Sequence, residues 1–239
     1  MILLLLPARM VRTLSISLAI AGGALACGTS KTESPAKHSP GTTVRALIAE
    51  RSRLDTRPDS FTVAADRGRV LGDTTATVWV VIVGDFQCRG CKQWSDEVFP
   101  LIRKEYVATG RVRMAYVDMP LGVHLNAMPT ALAAACASAE GKFWETYERI
   151  FATQHLWKDL PDARPFLDSL AIAAGADAGP LRRCTESARA TRLILADVER
   201  SKAAGVDSLP TFFIGTHKVL GPSSVAAFRA VIDSALAGK

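Results

Sequence analysis

The sequence predicts an α/β fold: a mixed central sheet flanked by helices and interrupted by an inserted α-helical domain. Three observations carry this expectation. An apolar run, Val78 to Val83, leads through a short loop into Cys88-Arg89-Gly90-Cys91 and then into a helical pattern. A helical stretch over about residues 121–202 is much longer than one crossover needs. After it come Thr211-Phe212-Phe213-Ile214, a turn at Gly215-Thr216, and Lys218-Val219-Leu220, which read as a hairpin followed by a closing helix.

The chain start is expected to lie outside the fold. Arg9 and Arg12 form a basic region, and Leu14 to Ala26 is an apolar, small-residue stretch of 13 residues. That length suits a signal-peptide core and is too short to span a membrane. Residues 1–26 therefore read as a signal peptide, with the biological start expected at Met10 because apolar residues should follow the basic ones. Two readings compete at its end. Ala24-Leu25-Ala26 suits ordinary signal cleavage. The same residues followed by Cys27-Gly28-Thr29-Ser30 resemble a bacterial lipoprotein processing box, although Ala24 stands where Leu is usual. The lipoprotein reading is favoured, because a lone Cys27 directly after the cleavage point otherwise has no role. Residues 27–60 then supply the lipid-anchor cysteine, a polar Ser/Thr/Lys/Pro-rich tether and a short helix over Thr42 to Leu54.

The fold itself should occupy residues 61–120 and 203–239. Phe61 to Ala64 reads as a first strand and Gly68 to Thr75 as turn-rich. Thr77 to Val83 is apolar throughout, as a strand buried on both faces would be. A helix from Cys88 to about Val107 should be kinked by Pro100 and stopped by Gly110. Arg111 to Val117 alternates and should be the next parallel strand. Within the insertion, residues 121–202, five helices are marked by Leu125 to Ala139, Phe143 to Phe151, Phe166 to Ala174, Leu181 to Ala188 and Leu193 to Val198. So long a block should have packing of its own. Pro222 to Ala237 closes the chain as a helix.

Cys88-x-x-Cys91 at a strand-to-helix junction points to redox chemistry. A helix N-terminus offers unpaired N–H groups and partial positive charge, which stabilise a thiolate, the species that attacks disulfides. Arg89 adds a positive charge beside it. The chain has five cysteines. With Cys27 lipidated and Cys88 paired locally with Cys91, Cys136 and Cys184 remain. Both lie on apolar helix faces, and they are either a structural disulfide closing a loop of about 48 residues or two buried thiols. Net charge is +6 and hydrophobic content 49%, enough for a sizeable core. The basic residues are scattered and not interleaved with aromatics, which excludes nucleic-acid binding as the leading function. None of the four histidines stands at metal-ligand spacing with a cysteine, so no metal site is expected.

Asp85-Phe86-Gln87-Cys88-x-x-Cys91, Gly141-Lys142-Phe143-Trp144 and Leu209-Pro210-Thr211-Phe212-Phe213-Ile214-Gly215 together resemble the DsbA-like thioredoxin-fold family of exported bacterial thiol–disulfide oxidoreductases. Pro120-Leu121, His124 and Ala135-Cys136-Ala137 fit the same pattern. The resemblance runs from about Phe61 to the end. It implies a thioredoxin fold with an inserted helical domain and no cofactor. Cys88 would be the exposed nucleophile and Cys91 the buried resolving cysteine. Pro210 would be a cis-proline facing them, leaving the backbone of Leu209 free to pair with substrate.

The sequence departs from the family at four points. Arg89 stands where Pro is usual, and Gly90 where some oxidases carry His. Ile82 replaces the buried carboxylate of thioredoxins, and Leu209 replaces a frequent Thr. Asp85 either accepts a proton near the site or only caps the helix region. His124 reads as structural or a surface contact. Trp94, Phe143 and Trp144 should be core or groove residues.

The expected activity is oxidation of cysteine-containing exported proteins, with a membrane redox partner to reoxidise the pair and a lipid anchor to the membrane. A reductase or isomerase using the same site is the main rival. A substrate-holding lipoprotein with merely structural cysteines is the non-enzymatic one.

Overall fold

The fold is built around β2, Val78–Gly84. Its apolar side chains face both layers, so it occupies the middle of a five-stranded sheet of order β1-β3-β2-β4-β5. The computed structural model describes residues 58–221 and 223–238. Cys27 and the helix expected at Thr42 to Leu54 lie outside the described residues.

β3, Val112–Asp118, runs parallel to β2, with Val80 opposite Met114. On the other side β4, Thr211–Ile214, is antiparallel, with Ile82 opposite Phe212. β5, His217–Leu220, completes the hairpin through Gly215, whose φ of 55° suits a residue without Cβ. β1 is only Val70–Leu71, antiparallel to β3.

Phe61 to Ala64 is not a strand. It lies in helix α1, Ser60–Gly68. The Asp59 carboxylate accepts the Thr62 N–H at 2.8 Å and caps the helix. Phe61 and Ala65, four apart, are both buried. The β-branched look of Thr62-Val63 is overridden by that cap and by a helical contact face. The helix ends against α4, Ala127–Ala139, where Ser138 Oγ donates to the Ala65 carbonyl at 2.6 Å. A Cβ on Gly68 would stand 2.0 Å from the Ser138 carbonyl oxygen, so only glycine fits there. The first strand comes just afterwards, inside the stretch expected to be turn.

The helix after the cysteines is broken as Pro100 predicts. α2 is Arg89–Glu97 and α3 is Phe99–Ile102, with Pro100 in its first turn, where a missing N–H costs nothing. A wide turn, Arg103–Val107, follows, and Gly110 at φ 72° ends it.

The helical block comprises α4, then α5 Phe143–Ala152, α6 Gln154–Trp157, α7 Arg164–Ala173, α8 Ala178–Thr185 and α9 Ala188–Ala203. The closing helix α10 is Val225–Leu236. No helix among the described residues is long and apolar enough to cross a membrane.

The block does not have a core entirely of its own. Phe143, Tyr147, Ile150, Phe151 and Trp157 join Ile82, Trp94, Tyr116 and Phe212 in one continuous apolar cluster. Phe86 bridges the layers, its ring 5.2 Å from Phe151 and 5.1 Å from Tyr116. A second cluster brings Phe61 and Ala65 against Ala131, Ala135, Cys136, Leu181, Cys184 and Ile194. Cys136 and Cys184 form a disulfide there, their Cα atoms 5.7 Å apart. Beside this cluster Arg69 is buried with Asp118 and Asp197, both of which it pairs with. Burial works against the Arg69 charge, but Asp197 and Asp118 outweigh it and hold it fully protonated.

Candidate active site

Where β2 ends the chain turns sharply, and Asp85 makes the turn. Its buried carboxylate accepts the Gln87 N–H at 2.7 Å, while its carbonyl accepts the Cys88 N–H at 3.1 Å. Cys88 is then the extended residue that opens α2, at φ −68° and ψ 128°, and no side chain caps that helix start. The free N–H groups are left for sulfur.

Cys88 and Cys91 are free thiols, Cys88 partly exposed and Cys91 buried. The Cys88 thiol is lowered from an ordinary 9.0 to about 6. The Cys91 thiol hydrogen bond contributes most; burial opposes it, and the Cys91 and Gly90 N–H groups add to it. Arg89 is exposed on the first turn, and none of the leading contributions comes from it. Cys91 is pushed the opposite way, well above its ordinary value, first by burial and then by donating to Cys88. The two sulfurs are thus a poised thiolate and a buried proton carrier.

The Leu209–Pro210 peptide bond is cis. It brings the Leu209 carbonyl to 3.8 Å from Cys88 Sγ, within reach of the thiol S–H. Thr211 Oγ1 donates to the Ser208 carbonyl at 2.6 Å and holds the bend from within. Cys88, Cys91, Leu209 and Pro210 therefore meet at one end of the sheet. Cys136 and Cys184 stay apart, in the second apolar cluster.

Ile82 is buried and leaves no carboxylate at its position. Asp85, at the head of the same strand, is the nearby one. It accepts three hydrogen bonds: from Gln87, from the Leu121 N–H at 2.8 Å, and in partnership with His124 Nδ1 at 2.7 Å. It shapes the loop ahead of α2 and does not cap that helix, since Cys88 takes the cap position. The negative charge of Asp85 disfavours the Cys88 thiolate.

Three amides that sequence reasoning passed over clamp this loop to the helical block. Gln154 Nε2 donates to the Phe86 carbonyl at 2.7 Å and reaches the Cys88 carbonyl at 3.5 Å. Gln87 donates to the Lys158 carbonyl at 2.8 Å and accepts the Asn126 N–H at 2.7 Å. Asn126 in turn donates to the carbonyls of Trp157, Lys158 and Leu160. Gln87, directly before Cys88, was the available signal. Gln154 belongs to no motif and had none.

Comparison with known proteins bears on the family and the fold. A family profile described as Thioredoxin matches residues 64–234. The chain belongs to the DsbA-like thioredoxin-fold family. Among relatives of this family member, the Na(+)/H(+) antiporter NhaA 3 of Salinispora tropica is 31% identical over 176 residues, which is 73% of this chain and 26% of that protein. The probable disulfide bond formation protein D of Bacillus anthracis is 29% identical over 115 residues, 48% of this chain and 51% of that one. The matches thus span about a quarter to a half of these relatives' own lengths. Among solved structures, BdbD from Bacillus subtilis in its oxidised form superposes with a TM-score of 0.65 at 22% identity, covering 72% of this chain and 94% of that one. Wolbachia pipientis alpha-DsbA1 gives 0.64 at 20%, covering 71% and 91%. At that identity these two show a common fold.

Proposed function

We propose that the protein is an exported thiol–disulfide oxidoreductase, acting as an oxidase that introduces disulfides into secreted or envelope proteins through a Cys88–Cys91 redox disulfide. One observation carries the reading: a thiol lowered to about 6 lies against the carbonyl of Leu209, beside a cis-proline. The names of the Bacillus relatives, disulfide bond formation protein D, support it.

A substrate thiolate attacks Cys88 Sγ of the oxidised pair. The Cys88–Cys91 bond breaks, and Cys91 leaves with the bonding electrons and takes up a proton. Its burial makes that proton hard to lose again. A second substrate thiolate attacks the substrate sulfur of the mixed disulfide, and Cys88 leaves as a thiolate. The substrate has lost two electrons and the pair has gained two. A well-stabilised Cys88 thiolate favours the reduced form and so makes the oxidised form a stronger oxidant. An extended substrate segment would hydrogen-bond the backbone of Leu209, in place of the Cys88 thiol at its carbonyl.

A membrane redox partner reoxidises the pair in this scheme. Residues 1–26 serve for export, Cys27 for lipid attachment, and the following segment as a tether. The catalytic unit comprises residues 61–120 and 203–239, with 121–202 inserted.

The test is dithiol oxidation by the full mature protein together with the reduction potential of Cys88–Cys91 in glutathione buffers. Activity that requires Cys88, and a potential near the roughly −120 mV of strong oxidases, is expected. Activity surviving in Cys88→Ala, or a potential near the roughly −270 mV of thioredoxin, overturns the oxidase reading.

A further inference from the structure

We infer that His124 is a positioning residue for the redox pair: its imidazole compensates the buried Asp85 carboxylate and so governs how readily Cys88 carries negative charge. The inference rests on Cys88 and Cys91 being the redox pair, and it concerns a residue that the loop between β3 and α4 brings to Asp85, next to that pair in the chain.

The Asp85 side chain is fully shielded from solvent, so its charge is poorly screened by water. The same residue is bonded to the site on two sides. Its carbonyl accepts the Cys88 N–H, and its own N–H is directed at the Cys91 sulfur. Its carboxylate charge works against negative charge on both sulfurs. Two of the groups holding that carboxylate, the N–H of Gln87 and of Leu121, are backbone dipoles that cannot change charge. Among the described residues His124 is the one basic side chain bonded to it.

The other titratable groups facing Asp85 are Cys88 and Cys91 on α2 and Tyr116 and Asp118 on β3. None of these brings positive charge. Arg69, the one buried cationic side chain among the described residues, is engaged by Asp118 and Asp197. His124 alone is therefore placed to offset Asp85. It is about a quarter exposed, whereas the Asp85 side chain is completely buried. A protonated imidazole makes the pair neutral; a neutral one leaves a full negative charge behind the sulfurs.

The experiment is a thiolate titration of the reduced mature protein, followed by ultraviolet absorbance and by alkylation rate, in the parent, His124→Gln, Asp85→Asn and the double variant. His124→Gln should lower the Cys88 thiolate fraction about threefold below its midpoint, and Asp85→Asn should raise it by a similar factor. In the double variant the His124 substitution should have no further effect, because the charge it offsets is gone. An unchanged thiolate fraction in His124→Gln, or the same change with and without Asp85, overturns the inference.

Should Asp85→Asn fail to fold, reciprocity supplies a second readout in the parent protein. The imidazole midpoint of His124, followed by NMR, must then differ between the reduced pair and the disulfide. An identical midpoint overturns the inference as well. These readouts report on Cys88 directly. Absent dithiol oxidation with intact coupling would sink the proposed function alone, and the converse would sink this inference alone.

Discussion

The two apolar clusters of the molecule are built in opposite ways. The cluster beneath the active site is aromatic: Trp94 meets Phe212 and Phe228 at 4.9 and 5.7 Å, and Tyr147 meets Phe151 at 4.8 Å. Each ring buries a large area and interlocks with several others. The cluster around α1, α4 and α9 is alanine-rich and contributes far less area per side chain. It contains the Cys136–Cys184 disulfide and abuts the Arg69–Asp118–Asp197 ion cluster. Where side chains are large, packing suffices; where they are small, covalent and ionic ties accompany them. Keeping the tied region away from Cys88 also leaves the redox-sensitive sulfurs in the part that does not depend on a disulfide.

The sharpest way to break this contrast is in the aromatic cluster. Phe212→Ala should cost about 3–5 kcal/mol in urea unfolding, because the void among Trp94, Phe228 and Ile82 is walled by other rings and cannot collapse. A loss under 1 kcal/mol would show that the rings do not act as a unit. Next comes the staple. Replacing both Cys136 and Cys184 with alanine should cost about 2–4 kcal/mol, through a loop of 48 residues released in the unfolded chain. It should leave the Cys88 alkylation rate unchanged, since the two cysteine pairs lie in different clusters.

Near neutral pH the remaining effect is smaller, because only part of the depression of Cys88 is expressed there; it is a pH dependence and belongs to the aromatic side. The folded-state thiol of Cys88 is depressed, so its contribution to the stability of the reduced protein is fully present above the ordinary thiol value of about 9 and lost as pH falls through about 6. The Tm advantage of reduced over oxidised protein should shrink across that window. An advantage that is flat with pH would place the stabilisation elsewhere.

Much of this architecture was legible in the sequence, for identifiable reasons. β2 announced itself because both its faces are buried, and α2 because Cys91 and Trp94 recur on one face. The hairpin was legible in Thr211 to Leu220. The sequence also singled out Asp85, Cys88, Cys91 and Pro210, which the structure gathers at one end of the sheet, where β2 ends and β4 begins. Phe61 to Ala64 misled, because four residues fit both periods and only the Asp59 cap and the α4 surface decide between them. Arg89 looked electrostatically important from adjacency alone, yet it points into solvent, where water screens it. The amide clamp was invisible for a different reason. Gln87, Asn126 and Gln154 act through backbone carbonyls, and carbonyls leave no mark on a sequence.

That clamp has a consequence in time. Cys88 emerges from the ribosome well before the groups that hold it: Gln154 follows 66 residues later, and Leu209 follows 121 residues later. At roughly 5–20 residues per second, the last of them arrives about 6–24 s after the cysteine. Until then the nascent chain carries two cysteines without the carbonyl partner or the clamp of the finished site. The pair acquires its matured reactivity only once the chain is nearly complete, which delays its chemistry until the rest of its own fold is available.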